Sequence, residues 1–339
     1  MPAEWEPHAA TWLAWPHEEQ DWPGKLAPIP WVYGEFVRHL ASSERVRILV
    51  GTAAREQQAR KLLARLDFDH SKVDFVRAAT DRVWTRDSCP QVIKNKKGER
   101  ALVGFKFNGW AKYKNHKRDQ KLPEVVSDHL RLKLWVARLR DRQVVLEGGS
   151  IDVNGKGTLL TTEECLLSKI QERNPGAKRG EYEDIFAQML GARHTIWLGD
   201  GIAGDDTHGH VDDLARFVDA RTVALAVERD PADANHKPTM DNLKRLKKAK
   251  DQDGRALTVL ELPMPKPVVL DGQRLPASYA NFYIANSCVL VPTFNDPADR
   301  VALERLAQVF KKRKVIGIHC VDMVWGLGTL HCASQQEPA

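Results

Sequence analysis

Short polar loops recur along the chain at intervals of about 50 to 70 residues, and this recurrence constrains the fold more than any single motif does. Each loop lies beside a segment with the apolar pattern of a strand. The loops are centred on Asp87, Glu147, His210, Asn281 and Cys332. A unit of a few strands and one helix cannot bury its own apolar face. We therefore expect about five similar units around an axis, with their polar loops sharing one central pocket.

These units predict one α/β domain spanning residues 1–339. At 339 residues and 42% hydrophobic composition, the chain can bury a large core. Strands are predicted at Arg45–Val50, His194–Leu198 and Thr222–Val227, and helices at Ala53–Leu66 and Leu122–Leu139.

The stretch Gly204–Asp213 is the densest in ionisable side chains, with four carboxylates and two imidazoles in ten residues. Apolar alternation follows it and predicts a strand. If His210, Val211 and Asp212 are extended, His210 and Asp212 face the same side, because side chains alternate along a strand. The alternative is a solvated acidic turn.

The 51 basic and 45 acidic residues give a net charge of +6. Basic runs such as Lys94–Lys97 and Lys311–Lys314 are scattered and lack interleaved aromatics, which indicates a solvated surface and not a nucleic-acid site. No apolar run approaches the ~20 residues of a membrane span. The start Met1–Glu6 lacks a signal-peptide pattern. We expect a cytoplasmic protein with no membrane or nucleic-acid partner. The sequence leaves open whether it forms a homo-oligomer.

Five cysteines are widely spaced and form no C-x-x-C pair, so neither a disulfide framework nor a cysteine zinc site is predicted. Cys332 follows a glycine-rich segment and is a candidate nucleophile, the alternative being an inert buried thiol. The other four are expected to be packing residues: Cys89, Cys165, Cys288 and Cys320.

A thiol, an imidazole and three carboxylates suit a planar cationic substrate. Carboxylates can hold a guanidinium through bidentate hydrogen bonds, which places its carbon beside a thiolate. An imidazole can protonate departing ammonia and then take a proton from water. Two other hypotheses stay open: a metal-dependent hydrolase using His208, His210 and Asp212, and a basic binding module without activity.

The chain also resembles a known family in several short segments distributed over nearly its whole length. They are Met1–His8, Trp84–Asp87, Leu146–Ser150, Gly209–Asp212, Tyr279–Asn286 and His331–Cys332. Together they are similar to the agmatine deiminase and bacterial-type peptidylarginine deiminase branch of the guanidino-group-modifying superfamily.

This resemblance implies a five-bladed, pseudo-symmetric, pentein-like α/β propeller and no cofactor or metal. It also implies that Cys332 is the nucleophile and His210 the general acid and base. Asp87 and Asp212 would hold the guanidinium, and Glu147 would be the partner of His210.

The implied substrate is agmatine, converted to N-carbamoylputrescine and ammonia, with peptidyl-arginine or another small guanidine as the alternative. Asn281 is expected near the substrate, and Asp206, Trp84 or Trp110 would receive the far amine. Arg86 is the only arginine that we assign to the five loops, which argues against a substrate α-carboxylate.

Two segments depart from the family pattern. Relatives with agmatine activity typically have Gly-Gly-Gly-Asn-Ile-His-Cys and Glu-Thr-Asn-Gly-His, where this chain has Leu327, Thr329 and His208 at altered positions. Leu327 is bulky where a glycine would let the backbone approach closely. A protonated His208 in the pocket would repel an amine.

Overall fold

The computed structural model describes residues 1–339. Five β-sheets share one pairing pattern, in which the first strand is antiparallel to the second and the second is parallel to the third. Sheet II consists of Gln91–Lys94, Arg100–Gly104 and Leu134–Val136, and sheet III of Asp152–Val153, Thr158–Thr162 and His194–Leu198. Sheet IV consists of Ala215–Phe217, Thr222–Val227 and Thr258–Pro263, and sheet V of Tyr283–Ile284, Cys288–Thr293 and Lys314–His319.

Sheet I joins the two ends of the chain. Ser334–Pro338 pairs antiparallel with His8–Ala14, which is parallel to Arg45–Val50, and a fourth strand, Val73–Arg77, extends the parallel part. The last strand therefore takes the position that the first strand has in each of the other sheets.

Helices connect the parallel strands, since such strands need a crossover and not a tight turn. They are Ile29–Leu40 and Ala53–Leu63 in sheet I, Leu122–Leu130 in sheet II, Glu163–Leu167 and Arg179–Ile185 in sheet III, His236–Lys248 in sheet IV and Ala298–Val309 in sheet V. Two small hairpins lie outside the sheets, at Arg138–Gln143 and Val269–Arg274. No helix combines the length and apolar character needed to cross a membrane.

The three strands predicted above are confirmed residue for residue. The helix expected over Leu122–Leu139 is wrong beyond Leu130, because Arg131 takes the left-handed conformation with φ of 54° and ends it. Leu134–Val136 is instead the outer strand of sheet II. The helix beginning at Ala53 ends at Leu63 and not at Leu66.

Each of the five polar residues precedes the first strand of a sheet. Asp87, Glu147, His210 and Asn281 precede sheets II, III, IV and V, and Cys332 precedes Ser334–Pro338 of sheet I. The periodicity read from the sequence is thus the periodicity of the sheets.

Candidate active site

Cys332 lies in the turn before the last strand, and its side chain is buried. The amide of Asn281 donates to Cys332 Sγ at 3.0 Å, and Sγ lies 3.5 Å from Asp212 Oδ2. Asn281 Oδ1 also accepts from Thr329 Oγ1 and from the backbone N–H of His331. One amide therefore fixes both the thiol and the loop that carries it.

The pKa of the Cys332 thiol is raised well above its usual value. Burial is the main cause, and the carboxylates of Asp212, Asp213 and Asp87 act in the same direction because they oppose a second negative charge. The resting thiol is therefore protonated, and only a nearby cation would favour the thiolate.

His210 precedes the short 3₁₀ turn Val211–Asp213, so the extended conformation considered for His210–Asp212 does not occur, whereas the strand predicted after this stretch is present at Ala215–Phe217. Asp205 holds the turn by accepting from the backbone N–H of Gly209 and His210. The side chains of His210 and Asp212 nevertheless meet, because the tight turn brings His210 Nδ1 to 3.9 Å from Asp212 Oδ1.

The His210 ring is fully buried among carboxylates, and neither of its nitrogens makes a hydrogen bond to protein. Nδ1 is also 3.9 Å from Asp87 Oδ1, and Nε2 is 3.7 Å from Glu147 Oε2. Burial lowers the pKa of His210, but Asp87, Cys165 and Glu147 outweigh it and leave that pKa well above normal. The site therefore holds an imidazolium with its protons available.

Glu147 is paired with a residue that sequence reasoning did not find. Arg173 Nε lies 3.1 and 3.3 Å from the two Glu147 oxygens, and both side chains are inaccessible to solvent. Burial raises the pKa of Glu147, but Arg173 and His210 outweigh it and lower that pKa to about 2. Glu147 is thus a permanent anion facing His210.

Asp87 is in a four-residue helix, Thr85–Ser88. It accepts from Trp110 Nε1 at 2.8 Å and from the backbone N–H of Gly149 at 3.0 Å. Burial raises its pKa to about 6, although His210 acts in the opposite direction. Two hydrogen bonds fix this carboxylate beside His210.

Only one carboxylate oxygen of Asp212 is hydrogen-bonded to the protein. His331 Nδ1 is 2.7 Å from Asp212 Oδ2, whereas Oδ1 is buried without a hydrogen-bond partner. Burial raises the pKa of Asp212, but His331 and His210 outweigh it and the pKa is lowered. An unpartnered carboxylate oxygen beside a thiol is ready for a cationic donor.

A cavity of about 170 Å³ leads to Cys332 and Asp87. Its walls are aromatic and polar, with Leu327 beside the glycines of the loop that carries Cys332: Gln20, Asp21, Pro23, Arg82, Trp84, Trp110, Tyr113, Asp206, Thr207, Gln273, Trp325, Gly326, Leu327 and Gly328. Leu327 itself has a left-handed backbone, with φ of 67°. Glu147, His210 and Asp212 lie behind this lining, with no exposed surface.

A sequence model of the Porphyromonas-type peptidyl-arginine deiminase family matches residues 1–338. The chain belongs to this family. An agmatine deiminase of Stutzerimonas stutzeri is 35% identical over 100% of this chain and 95% of that protein. An agmatine deiminase structure from Enterococcus faecalis has a TM-score of 0.92 at 31% identity, covering 100% of this chain and 95% of that one.

The α/β architecture also extends to more distant proteins. An amidinotransferase from Microseira wollei has a TM-score of 0.59 at 12% identity, covering 99% of this chain and 96% of that chain. The family resemblance seen in the sequence and the α/β fold are therefore confirmed.

The residues predicted to contact substrate in this deiminase-family chain divide into two groups. Trp84, Trp110 and Asp206 line the cavity, and Asp206 accepts from Tyr113 at 2.6 Å and pairs with Lys112. Asn281 and His208 do not line it; Asn281 contacts the Cys332 thiol, so its place near the substrate stays a prediction. Asn281 is buried behind Cys332.

His208 points away from the cavity, because its left-handed backbone (φ 65°) turns the side chain toward Ser168 and Glu164. It lines a separate surface cavity instead. The proposed repulsion of a substrate amine by His208 therefore has no structural basis. The metal hypothesis loses the ligand set predicted above, since His208 does not converge with His210 and Asp212. The potential ligand atoms that do lie within 4.8 Å of one another belong to Glu147, Cys165 and His210, and to Asp212, Asp213 and Cys332.

The arginine assignment also needs correction. Arg82 belongs to the loop before Asp87 and lines the cavity, whereas Arg86 is buried against Glu4 and Gln336. Arg82 forms an ion pair with Asp21, and its Nε has no hydrogen-bond partner. The sequence contained this signal, because Arg82 lies five positions before Asp87, the centre of one of the polar loops, whereas Arg173 had no comparable signal.

Proposed function

We propose that the chain is a hydrolase that deiminates agmatine to N-carbamoylputrescine and ammonia through a covalent intermediate on Cys332. One observation carries the proposal: a buried thiol that lines the cavity has an imidazole and several carboxylates packed around it and behind it. A guanidinium supplies the positive charge that this set lacks.

Binding would activate the nucleophile. A guanidinium held by Asp87 and the free oxygen of Asp212 offsets the negative charges that raise the pKa of the Cys332 thiol. The thiol then loses its proton, to solvent in the cavity, only when substrate is present. The same contacts hold the guanidinium carbon facing Sγ, so the entropic cost of aligning the reacting atoms is met on binding.

The chemistry then proceeds in two balanced halves. Thiolate attack forms the S–C bond, and a C–N electron pair moves onto nitrogen. His210 donates a proton to the departing nitrogen, ammonia leaves, and a thiouronium remains on Cys332. Neutral His210 next takes a proton from water, whose oxygen attacks the same carbon. The S–C bond breaks as the hydroxyl proton passes to sulfur, the ureido product leaves, and the Cys332 thiol is regenerated.

Glu147 would allow His210 to act in both halves of the reaction, as an acid when ammonia leaves and as a base when water attacks. Its anion, held by Arg173, faces Nε2 and favours the imidazolium, while Asp87 and Asp212 lie near Nδ1. His210 thus begins as an acid and regains a proton from water in the second half.

The cavity walls supply the argument for agmatine. Asp206 offers a carboxylate, and Trp84 and Trp110 offer aromatic faces, both of which attract a terminal ammonium. Lys112 is the present partner of Asp206 and is half-exposed, so a substrate amine can replace it at little cost.

One observation favours a second substrate class, guanidines that carry a carboxylate, including arginine and peptidyl-arginine. Arg82 brings a cation to the cavity wall, and its Nε is unpaired. Asp21 neutralises that charge in part, which is why agmatine remains our first choice.

The test is ammonia release from agmatine, free arginine and a blocked arginine peptide, assayed in parallel. We expect kcat/KM for agmatine to lead by at least about tenfold, or roughly 1.4 kcal/mol. Asp206→Asn should remove most of that lead, and Arg82→Gln should leave it. A lead for a carboxylate-bearing substrate, lost in Arg82→Gln, would transfer the assignment to the second class.

We further propose that sheets I to V form one five-bladed propeller domain. The support is the shared pairing pattern and the position of one polar residue before each sheet. Such an arrangement would bring these five loops to one axis.

A further inference from the structure

His331, the residue before the nucleophile, lies between two carboxylates. Its Nδ1 is 2.7 Å from Asp212 Oδ2, and its Nε2 is 2.8 Å from Glu4 Oε2. Carboxylate oxygens only accept hydrogen bonds, so both contacts require a hydrogen on each ring nitrogen. A ring that carries both hydrogens is an imidazolium, and His331 is buried.

Glu4 fixes the far side of this ring. Its Oε1 accepts from the backbone N–H of Ile284 and lies 2.9 Å from Arg216 Nη2, while Arg86 Nη2 is 3.2 Å from Oε2. Burial raises the pKa of Glu4, but Arg216 and His331 outweigh it and hold that pKa well below normal. Glu4 is therefore an anion in the protein interior.

The charges in this buried group balance. Three cations (His331, Arg86 and Arg216) contact three carboxylates (Glu4, Asp212 and Asp152), the last through Arg216 Nε at 3.0 Å. Removing one member leaves a buried charge uncompensated. The charge of Glu4 in the N-terminal segment is thus coupled through His331 to the Asp212 carboxylate beside the thiol.

We propose that Glu4 and His331 are positioning residues that keep Asp212 ionised and turned so that its free oxygen is left for the guanidinium. This inference rests on the proposed function above. Neither residue lines the cavity, so each acts through Asp212 and not by touching substrate.

The inference predicts a pH effect that a packing role would not produce. Asp212 is surrounded by charged or titratable groups of both kinds. The basic groups are His331, His210 and Arg216, and the acidic groups are Cys332, Asp213 and Asp87. Because the pKa of Asp212 is lowered by His331, Asp212 is ionised above that pKa and loses its charge as pH falls through it. Asp87, with a pKa of about 6, sets the first fall of kcat/KM with acid, and protonation of Asp212 sets a second, steeper fall at lower pH, which is the acid limb that reports on Asp212. Removing the His331 charge raises the pKa of Asp212, so this limb moves to higher pH.

Two variants test this effect. Glu4→Gln leaves Arg86 and Arg216 without their shared anion, which disfavours a third cation at His331. His331→Gln keeps an amide donor for Asp212 but carries no charge. In both, we expect the acid limb for agmatine to move up by about one pH unit, so that activity on the limb falls about tenfold while the plateau changes less.

A matched control exists in the last strand. Glu337 is also buried and pairs with Arg47 and Arg100, but it lies outside the site. Glu337→Gln should lose a comparable amount of stability and keep the wild-type acid limb. Glu4→Asp, which restores the charge, should return the limb most of the way to the wild-type position.

The outcomes separate the two proposals. If wild type releases ammonia but Glu4→Gln and His331→Gln keep its acid limb, the positioning role is overturned and the group is structural. If wild type releases no ammonia from any guanidine, the proposed function itself fails. Should a variant not fold, nitrogen NMR of wild-type His331 decides: two protonated ring nitrogens at pH 7 support the inference, and a neutral tautomer overturns it.

Discussion

Gly149 is the position where a single added carbon should damage the site most. Its backbone N–H donates to Asp87, and the space over its Cα is occupied by atoms of His210 and Asp87. A Cβ at Gly149 would lie 2.6 Å from His210 Nδ1 and 2.8 Å from Asp87 Oδ1. Its φ is not in the left-handed region, so the effect of alanine is one of contact and not of backbone strain.

The magnitude follows from these distances. Ordinary contact begins near 3.4 Å, so the imidazole must move by roughly 0.8 Å. A displacement of about 1 Å can cost about 100-fold in rate, which is roughly 2.7 kcal/mol of transition-state free energy. The same crowding should lower the free energy of unfolding by about 1–3 kcal/mol.

The assay is kcat for ammonia release from Gly149→Ala, with stability measured by denaturant. Gly180→Ala is the control, because Gly180 is helical, has no atom within 4 Å of an added Cβ and should tolerate alanine or gain stability. A Gly149→Ala enzyme within about twofold of wild type would refute the argument that this contact positions His210.

Four further predictions follow from the site. Cys332→Ala should abolish ammonia release without unfolding, and mass spectrometry after a haloacetamidine should show the adduct at Cys332 in wild type; an adduct elsewhere would contradict the mechanism. Glu147→Gln should lower the pKa of His210, so that the basic limb of the kcat profile moves to lower pH, and should cost about 3–5 kcal/mol of stability by leaving Arg173 unpaired. Dialysis against a chelator should not change turnover, and a loss restored by zinc would revive the metal hypothesis. Leu327→Gly should relieve about 1 kcal/mol of left-handed strain, seen as a higher denaturation midpoint; a lower midpoint would mean that its packing dominates.

The amino-acid sequence alone predicted which polar residues precede the five sheets and in what order. Local periodicity located the strands, and polar residues at strand boundaries identified Asp87, Glu147, His210 and Cys332. These signals are local, because the alternation of a strand and the turn after it involve only neighbouring residues. The family resemblance required no structure either, since it rests on short contiguous segments.

Tertiary structure decided which partners those residues have. Glu4 and His331 are separated by 327 positions and meet only because the two chain ends share sheet I. Arg173 reaches Glu147 across 26 positions, and no spacing rule indicates that pair. His208 and His210 are two positions apart, yet the turn places His208 at a surface cavity and buries His210 completely. Burial and charge pairing set the pKa of each site residue, and both depend on contacts that exist only when distant segments have packed together.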